Sequence, residues 1–196
     1  MNPGAALLVI DVQNDFCPGG ALAVPDGNRV AAPLGRLAAA FAQEGLPVLA
    51  SRDWHPPVTT HFAPYGGKWP PHCVQGSGGA AFHPDLALPE GTHIISKGTG
   101  PDEDAYSAFA GRGTDGRPLA EILRQLGVRE LYVGGLATDY CVKSTVLDAV
   151  AHGFGVKLLT DAVAGVEVRE GDSARALEEM AQAGVRFLIS DNVALK

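Results

Sequence analysis

The sequence has few cysteines, and they are spread along the chain. Only three occur among 196 residues, at positions 17, 73 and 141, which is an odd number without the close spacings of a disulfide framework. The N-terminus also lacks the basic start and apolar segment of a signal peptide. These absences exclude a small secreted domain held by disulfides, and we expect the protein to be in the reducing cytoplasm.

Basic clusters and long apolar runs are missing as well. The net charge is −7 and no group of lysines or arginines stands out, so we expect neither nucleic acid nor a membrane surface as a partner. No apolar run approaches the ~20 residues of a membrane-spanning helix. The sequence leaves the oligomeric state open, with a homo-oligomer as one option.

What is present is an ordinary globular composition, 46% hydrophobic and 19% charged, in which apolar runs alternate with helical patterns. Runs typical of buried strands lie at about residues 5–10, 46–50, 92–96, 131–133, 156–160 and 185–189. Patterns typical of helices lie at about 28–44, 117–126, 138–152 and 171–183. The alternation predicts an α/β fold built on a parallel sheet, in one domain that spans residues 1–196.

A long loop at about residues 53–92 interrupts this alternation. It is rich in proline and glycine and contains four of the six histidines. A loop of this length inside a compact domain is usually functional. Asp53, His55 and His72 are candidate ligands for Zn²⁺, Fe²⁺ or Mn²⁺. Surface histidines that form ordinary hydrogen bonds are the alternative.

The segment 131–142, LYVGGLATDYCV, predicts a strand, a glycine-rich turn and the start of a helix. Cys141 would lie in the first turn of this helix, with Thr138 or Asp139 as the N-cap. We expect the helix dipole to lower the pKa of this thiol, and the adjacent backbone N–H groups could hold an oxyanion. A small buried core cysteine is the alternative.

Three other side chains are expected near Cys141. Asp11, Asp53 and Lys97 each follow the carboxyl end of a predicted strand, and ligands bind at these ends in open parallel sheets. For the strand order 3-2-1-4-5-6, the order reverses between the strands that precede Asp11 and Cys141. Asp11 could take the thiol proton and later protonate a leaving amine, while Lys97 could stabilise both anions. A turn-capping carboxylate and a solvated lysine are the alternatives.

Five short motifs contain these residues. They are IDVQNDFCPGG at 10–20, RDWH at 52–55, KWPPHCVQ at 68–75, SKG at 96–98 and GGLATDYCV at 134–142. With these motifs in this order, the chain resembles the nicotinamidases (pyrazinamidases) of the isochorismatase-like cysteine hydrolase family. The resemblance implies a three-layer α/β/α fold with a six-stranded parallel sheet. It also implies hydrolysis of a small-molecule substrate, nicotinamide, to nicotinate and ammonia through a thioester, with a place in NAD salvage and with pyrazinamide as a further substrate.

The same resemblance assigns roles to catalytic groups. It implies a catalytic triad of Asp11, Lys97 and Cys141. It further implies an oxyanion hole formed by the backbone N–H groups of Ala137 and Cys141. The peptide bond between Leu136 and Ala137 is expected to be cis, which is rare outside X-Pro bonds.

Binding roles also follow from the resemblance. It implies one divalent metal ion, most often zinc, held by Asp53, His55 and His72, and His61 lies where some members of the family supply a further ligand and others do not. It also implies contacts to the substrate ring from Phe16, Trp69 and Leu136, with ordinary core packing of Phe16 and Trp69 as the alternative. Apart from the resemblance, the segment 99–116 could cover the site, with Tyr106 and Phe109 as candidate lid residues, or it could be a surface loop.

Other functions stay open at this point. The first is hydrolysis of another small amide or ureido compound by the same triad. The second is a non-catalytic ligand-binding domain with a structural metal, and the third is a redox sensor, although Cys141 has no resolving cysteine nearby in the sequence. The proposed chemistry does not explain Cys17 and Cys73, whose roles stay open, although Cys73 is interpreted as a packing residue.

Overall fold

The computed structural model describes residues 4–104 and 106–195 and is built around a twisted, mostly parallel sheet. Its strands are β1 (Ala5–Ile10), β2 (Val48–Asp53), β3 (His93–Lys97), β4 (Arg112–Gly113), β5 (Glu130–Leu136), β6 (Gly155–Ala164) and β7 (Arg186–Leu188). Their order across the sheet is β4-β3-β2-β1-β5-β6-β7. Neighbouring strands are parallel except β3 and β4, which are antiparallel.

Helices cover both faces of the sheet. The α-helices are α1 (Ala31–Gln43), α2 (Leu119–Gln125), α3 (Lys143–Ala151) and α4 (Asp172–Gln182). Single 3₁₀ turns lie at Asn14–Phe16, Gly27–Val30, Ala63–Tyr65, Ala108–Ala110 and Ser190–Asn192, and a π-helical turn spans Thr138–Val142. Within the described ranges, none of the helices has the length and apolar character needed to cross a membrane.

Two apolar cores lie between these layers. Successive residues of a strand point to opposite faces, so Leu7 of β1 packs in the core with Phe41 of α1, while Leu8 packs in the core with Leu123 of α2. Helices α3 and α4 contribute to the second core. The continuous apolar sequence of β1 is therefore explained by burial on both faces.

The prediction of a six-stranded parallel sheet was wrong, because the sheet has a seventh strand and is mixed. The six predicted strands are present and follow one another in the predicted order. The additional strand β4 pairs with the edge strand β3 through Ile95–Gly113 and Ser96–Arg112. Two residues are too few to produce a periodic pattern in the sequence.

The carboxyl ends of the central strands are brought together at one edge. Asp53 and Lys97 are the last residues of β2 and β3 and are register partners. Gly135 lies at an irregularity in β5 with a φ of +131°, where a Cβ atom would come within 2.0 Å of the Ile10 carbonyl oxygen. Only glycine fits this position. The end of β5 therefore approaches the end of β1, beside Asp11.

Candidate active site

Cys141 lies in the π-helical turn between β5 and α3. The peptide bond between Leu136 and Ala137 is cis, as expected. Ala137 then adopts an extended conformation and precedes the turn, which spans residues 138–142. The backbone N–H groups of Ala137 and Cys141 thus belong to the segment that carries the thiol.

The predicted helix cap was wrong. Neither Thr138 nor Asp139 is the N-cap, since the turn starts after Ala137 without a side-chain cap. The Asp139 carboxylate instead accepts hydrogen bonds from the N–H groups of Val166 and Glu167, each at 2.9 Å. Asp139 therefore ties the cysteine turn to the segment after β6.

Lys97 connects the carboxylate of Asp11 with the thiol of Cys141. The Lys97 Nζ atom lies 2.8 Å from Asp11 Oδ2 and 3.6 Å from Cys141 Sγ. The same ammonium contacts Oδ1 of Asp53. All four side chains are buried, and Asp11 also accepts a hydrogen bond from the Ser51 hydroxyl at 2.6 Å. The structure therefore brings the three predicted triad residues together in one buried group around the Lys97 ammonium.

Burial and the Lys97 ammonium have opposite effects on the acidic groups. Burial raises the pKa of Asp11 and of Cys141, and Lys97 offsets only part of this increase. Burial also acts on Asp53, but Lys97 and the neighbouring imidazoles outweigh it and hold the pKa of Asp53 well below its usual range. Burial would lower the pKa of Lys97, but the two carboxylates outweigh it and raise that pKa well above its usual value.

These shifts correct one prediction. The helix-dipole argument predicts a lowered pKa for Cys141, but its pKa is raised by burial, with Asp11 and Asp53 adding to the effect. The resting residue is therefore a neutral thiol at pH 7. Such a thiol needs a base to become a nucleophile, and the Lys97 ammonium, which contacts both groups, brings the Asp11 carboxylate close to it.

Three imidazoles gather next to this charged group. One ligand atom from each of His55, His61 and His72 lies within 4.8 Å of the others, and all three residues are buried. Oδ2 of Asp53 lies 3.5 Å from His55 Nε2 and 3.7 Å from His72 Nε2. The structure therefore places His61 with the three predicted ligands.

The hydrogen bonds of these imidazoles fit a metal site. Each Nδ1 atom lies near an oxygen atom, namely the Gly98 carbonyl (3.1 Å) for His55, the Pro70 carbonyl (2.8 Å) for His72 and Asp104 Oδ1 (3.4 Å) for His61. Because these oxygens only accept, the Nδ1 atoms carry the protons and the Nε2 atoms present lone pairs. Within the described part of the chain, the buried Nε2 of His55 has no hydrogen-bond partner. Burial lowers the pKa of His61, which keeps that imidazole neutral and able to coordinate.

An aromatic pocket opens beside the thiol and the imidazoles. Its apolar lining includes Phe16, Trp69, Tyr106, Leu136, Ala137 and Tyr140. The Trp69 indole N–H donates to the Tyr106 hydroxyl at 3.0 Å, and the Trp69 and Tyr140 rings meet edge to face at 5.2 Å. The residues predicted to contact the substrate ring therefore line one pocket together with Tyr106. Phe109, the other candidate lid residue, instead stacks on His152 with a centroid distance of 4.8 Å.

Two contributors to the site were not found by sequence reasoning. Tyr140 lines the pocket, and its position beside Cys141 in the motif was the available signal. The Gln13 side chain donates to the Asp53 carbonyl and accepts from the Asp53 N–H, both at 2.8 Å, so it fixes the backbone of Asp53. Gln13 lies within the IDVQNDF motif, but its partner is 40 residues away.

Cys17 and Cys73 are both buried in the apolar core on the α1 face of the sheet, as expected for the packing role predicted for Cys73. Burial raises the pKa of Cys17 to about 11. Burial likewise raises the pKa of Cys73 well above its usual value. Both thiols are therefore neutral and unreactive compared with an activated cysteine.

Comparison with known proteins identifies relatives along almost the whole chain. The isochorismatase domain family matches residues 5–191. The nicotinamidase of Escherichia coli (strain K12) is 43% identical over 198 residues, covering 93% of each chain. The nicotinamidase/pyrazinamidase of Mycobacterium tuberculosis is 43% identical over 190 residues, covering 94% of this chain and 98% of the relative.

A solved structure agrees with these relatives. The crystal structure of the pyrazinamidase of Pyrococcus horikoshii in complex with zinc superposes with a TM-score of 0.88 at 46% identity. The match covers 95% of this chain and 99% of that chain. The fold and the sequence therefore point to the same group of proteins.

Proposed function

The chain belongs to the isochorismatase family, and on this premise we propose that it is a nicotinamidase that hydrolyses nicotinamide to nicotinate and ammonia. The proposal rests on one observation: the Lys97 ammonium contacts Asp11, Asp53 and Cys141 in a single buried group. These contacts place a nucleophile and the group that would take its proton next to the cluster of metal ligands. An aromatic pocket opens beside them. A domain that only binds its ligand would not need the nucleophile.

We propose that acylation begins with proton transfer from the Cys141 thiol to the Asp11 carboxylate. The sulfur then attacks the carboxamide carbon, and the carbonyl oxygen becomes an oxyanion that the N–H groups of Ala137 and Cys141 stabilise. As the oxyanion collapses, the C–N bond breaks and Asp11 returns its proton to the departing nitrogen, which leaves as ammonia. Lys97 keeps Asp11 and the sulfur close together during these steps, and its positive charge compensates their negative charge.

Deacylation uses the same base. The thioester carbon is attacked by the oxygen of a water molecule, and Asp11 takes one of the two water protons. The C–S bond then breaks and releases nicotinic acid, which loses the other proton to solvent and becomes nicotinate. Asp11 then returns its proton to the sulfur, which restores the starting thiol. Both half-reactions therefore need Asp11 to alternate between carboxylate and acid, and its raised pKa suits this exchange.

The metal proposed for this site is Zn²⁺, with Asp53, His55, His61 and His72 as the residues that would hold it. Three imidazoles and a carboxylate suit this ion, and the related P. horikoshii structure is a complex with zinc. When bound, the metal would supply a Lewis acid for the lone pair of the pyridine nitrogen and so orient the ring. Phe16 and Trp69 line the pocket that would hold the ring.

A substrate panel tests this function. Zinc-loaded protein is assayed for ammonia release from nicotinamide, from benzamide, which lacks the ring nitrogen, and from an N-carbamoyl amino acid. We expect turnover of nicotinamide, and of benzamide less efficiently by a factor on the order of 10⁴, because the carbocyclic ring leaves the polar groups of the site unmatched. Equal turnover of both amides would contradict ring-nitrogen recognition, and turnover of only the ureido compound would favour a different hydrolase of the family. Pyrazinamide, which has the same ring nitrogen, is expected to be a substrate.

A further inference from the structure

Asp104 places a carboxylate against the Nδ1 atom of His61. Its Oδ1 lies 3.4 Å from His61 Nδ1, and the His61 side chain is 6% exposed while that of Asp104 is 84% exposed. We propose that Asp104 is a positioning residue that holds His61 in the orientation needed for metal binding. This inference rests on the proposed metal site.

His61 differs from the other two imidazoles in its outer partner. His55 and His72 are oriented by backbone carbonyl groups, whereas His61 lies against a side-chain carboxylate. The His61 ring also stacks on His55 with a centroid distance of 4.7 Å and an interplanar angle of 22°. Stacking fixes the plane of the ring but not which nitrogen faces the cluster. The carboxylate supplies this second restraint, because it accepts only from a protonated Nδ1 and leaves Nε2 as the ligand atom.

The backbone keeps Asp104 close to His61 despite its exposure. Thr60, which precedes His61, donates its backbone N–H to the Pro101 carbonyl at 2.8 Å, and its hydroxyl donates to the same oxygen at 3.2 Å. The segment before Asp104 is braced in turn by Glu103, whose Oε2 accepts from the Thr99 hydroxyl and from the N–H groups of Thr99 and Gly100. The two chain segments are therefore joined independently of the contact between Asp104 and His61.

The expected effect of losing the carboxylate is on metal affinity. Substitution of outer partners of metal-bound histidines typically lowers metal affinity by about 10- to 100-fold. We expect about 10-fold for Asp104→Ala, since the contact is long and solvent reaches the carboxylate. Asp104→Asn keeps one acceptor oxygen and should lose less.

The test measures zinc affinity by competition with a chromophoric chelator in the full-length protein. The matched control is Asp102→Ala, which removes an exposed carboxylate from the same segment. We expect D104A to bind zinc about 10-fold more weakly than wild type, D104N to lie between them, and D102A to stay within about twofold. The visible absorption of the Co²⁺-substituted protein should change in D104A, because the cobalt spectrum reports the ligand geometry.

A double-mutant cycle separates positioning from a general charge effect. In a His61→Ala background, the further change D104A should alter zinc affinity by less than about twofold, because its partner is gone. Equal affinities and identical cobalt spectra for D104A and D102A would overturn the proposal for Asp104 and leave nicotinamide turnover as evidence for the function. Wild-type protein that binds neither ion would overturn the metal site and this inference together.

Discussion

Lys97 is the residue on which the charge balance of the site depends. Its ammonium is buried among Asp11, Asp53 and the Cys141 thiol. A buried charge is tolerated only when it is paired, and here one cation compensates two carboxylates. The pairing and the neighbouring imidazoles keep Asp53 ionised for coordination, whereas Asp11, for which burial and the nearby Asp53 charge outweigh Lys97, is left with a raised pKa. Two similar carboxylates that share one lysine thus have different roles.

The reactivity of Cys141 should depend on pH in a direction that follows from its raised pKa. Below that pKa the thiol is mostly protonated, so the thiolate fraction should rise about tenfold per pH unit. We expect the rate of Cys141 alkylation by iodoacetamide to increase steadily from pH 6 to pH 9 in the metal-free protein. Peptide mass mapping at each pH separates Cys141 from Cys17 and Cys73. A rate that is already constant near pH 7 would show a preformed thiolate and contradict the assignment of Asp11 as the base.

At the scale of the elements, the cysteine turn depends on an anchor outside its own sequence. The Asp139 carboxylate accepts hydrogen bonds from two N–H groups of the segment after β6, and this contact ties the π-helical turn to that segment. We expect Asp139→Ala to lower the free energy of unfolding by about 1–3 kcal/mol, since two partly buried N–H groups lose a charged acceptor. Urea denaturation measures the change.

The matched variant for this test is Asp139→Asn, which keeps one of the two acceptor oxygens. It should lose less stability than D139A, and turnover should fall in the same order because the turn carries the nucleophile. Stability equal to wild type in D139A would show that the anchor does not hold the turn.

Sequence patterns predict the elements and their convergence, but not contacts made across the chain. The sequence predicts that Asp11, Asp53 and Lys97 lie close together, because the carboxyl ends of the strands in a parallel sheet share one edge. The contact of Asp139 with the segment after β6 could not be predicted, because its partners lie 27 and 28 residues away in the sequence. The predicted lowering of the Cys141 pKa was wrong, because the helix dipole is a local effect whereas the burial of the thiol depends on the whole fold. The contact of His61 with Asp104 depends on loop geometry, which leaves no periodic signal.

At the scale of the whole molecule, the ligand cluster joins separate parts of the chain. Asp53 ends a central strand, while His61 and His72 lie in the long loop that follows it. A ligand that binds only the folded state stabilises it, by about 2.7 kcal/mol at 100 times the dissociation constant. We therefore expect zinc to raise the melting temperature and a chelator to lower it, as measured by thermal unfolding.

The control for this stabilisation is His72→Ala, which removes one of the proposed ligands. Its melting temperature should respond to zinc much less than that of wild type. A melting temperature that is the same with zinc and with chelator in wild-type protein would contradict a metal held by these side chains.

The central claim is that Cys141 forms a covalent bond with the substrate, and trapping that intermediate tests it most directly. Zinc-loaded protein is mixed with nicotinamide, quenched in acid within its first turnovers, and examined by intact-mass and peptide mass spectrometry. We predict a mass gain of one nicotinoyl group on the peptide that contains Cys141, with neither the adduct nor ammonia release in Cys141→Ala. Undiminished ammonia release by C141A, or an acyl group on a different residue of the wild type, would contradict the account.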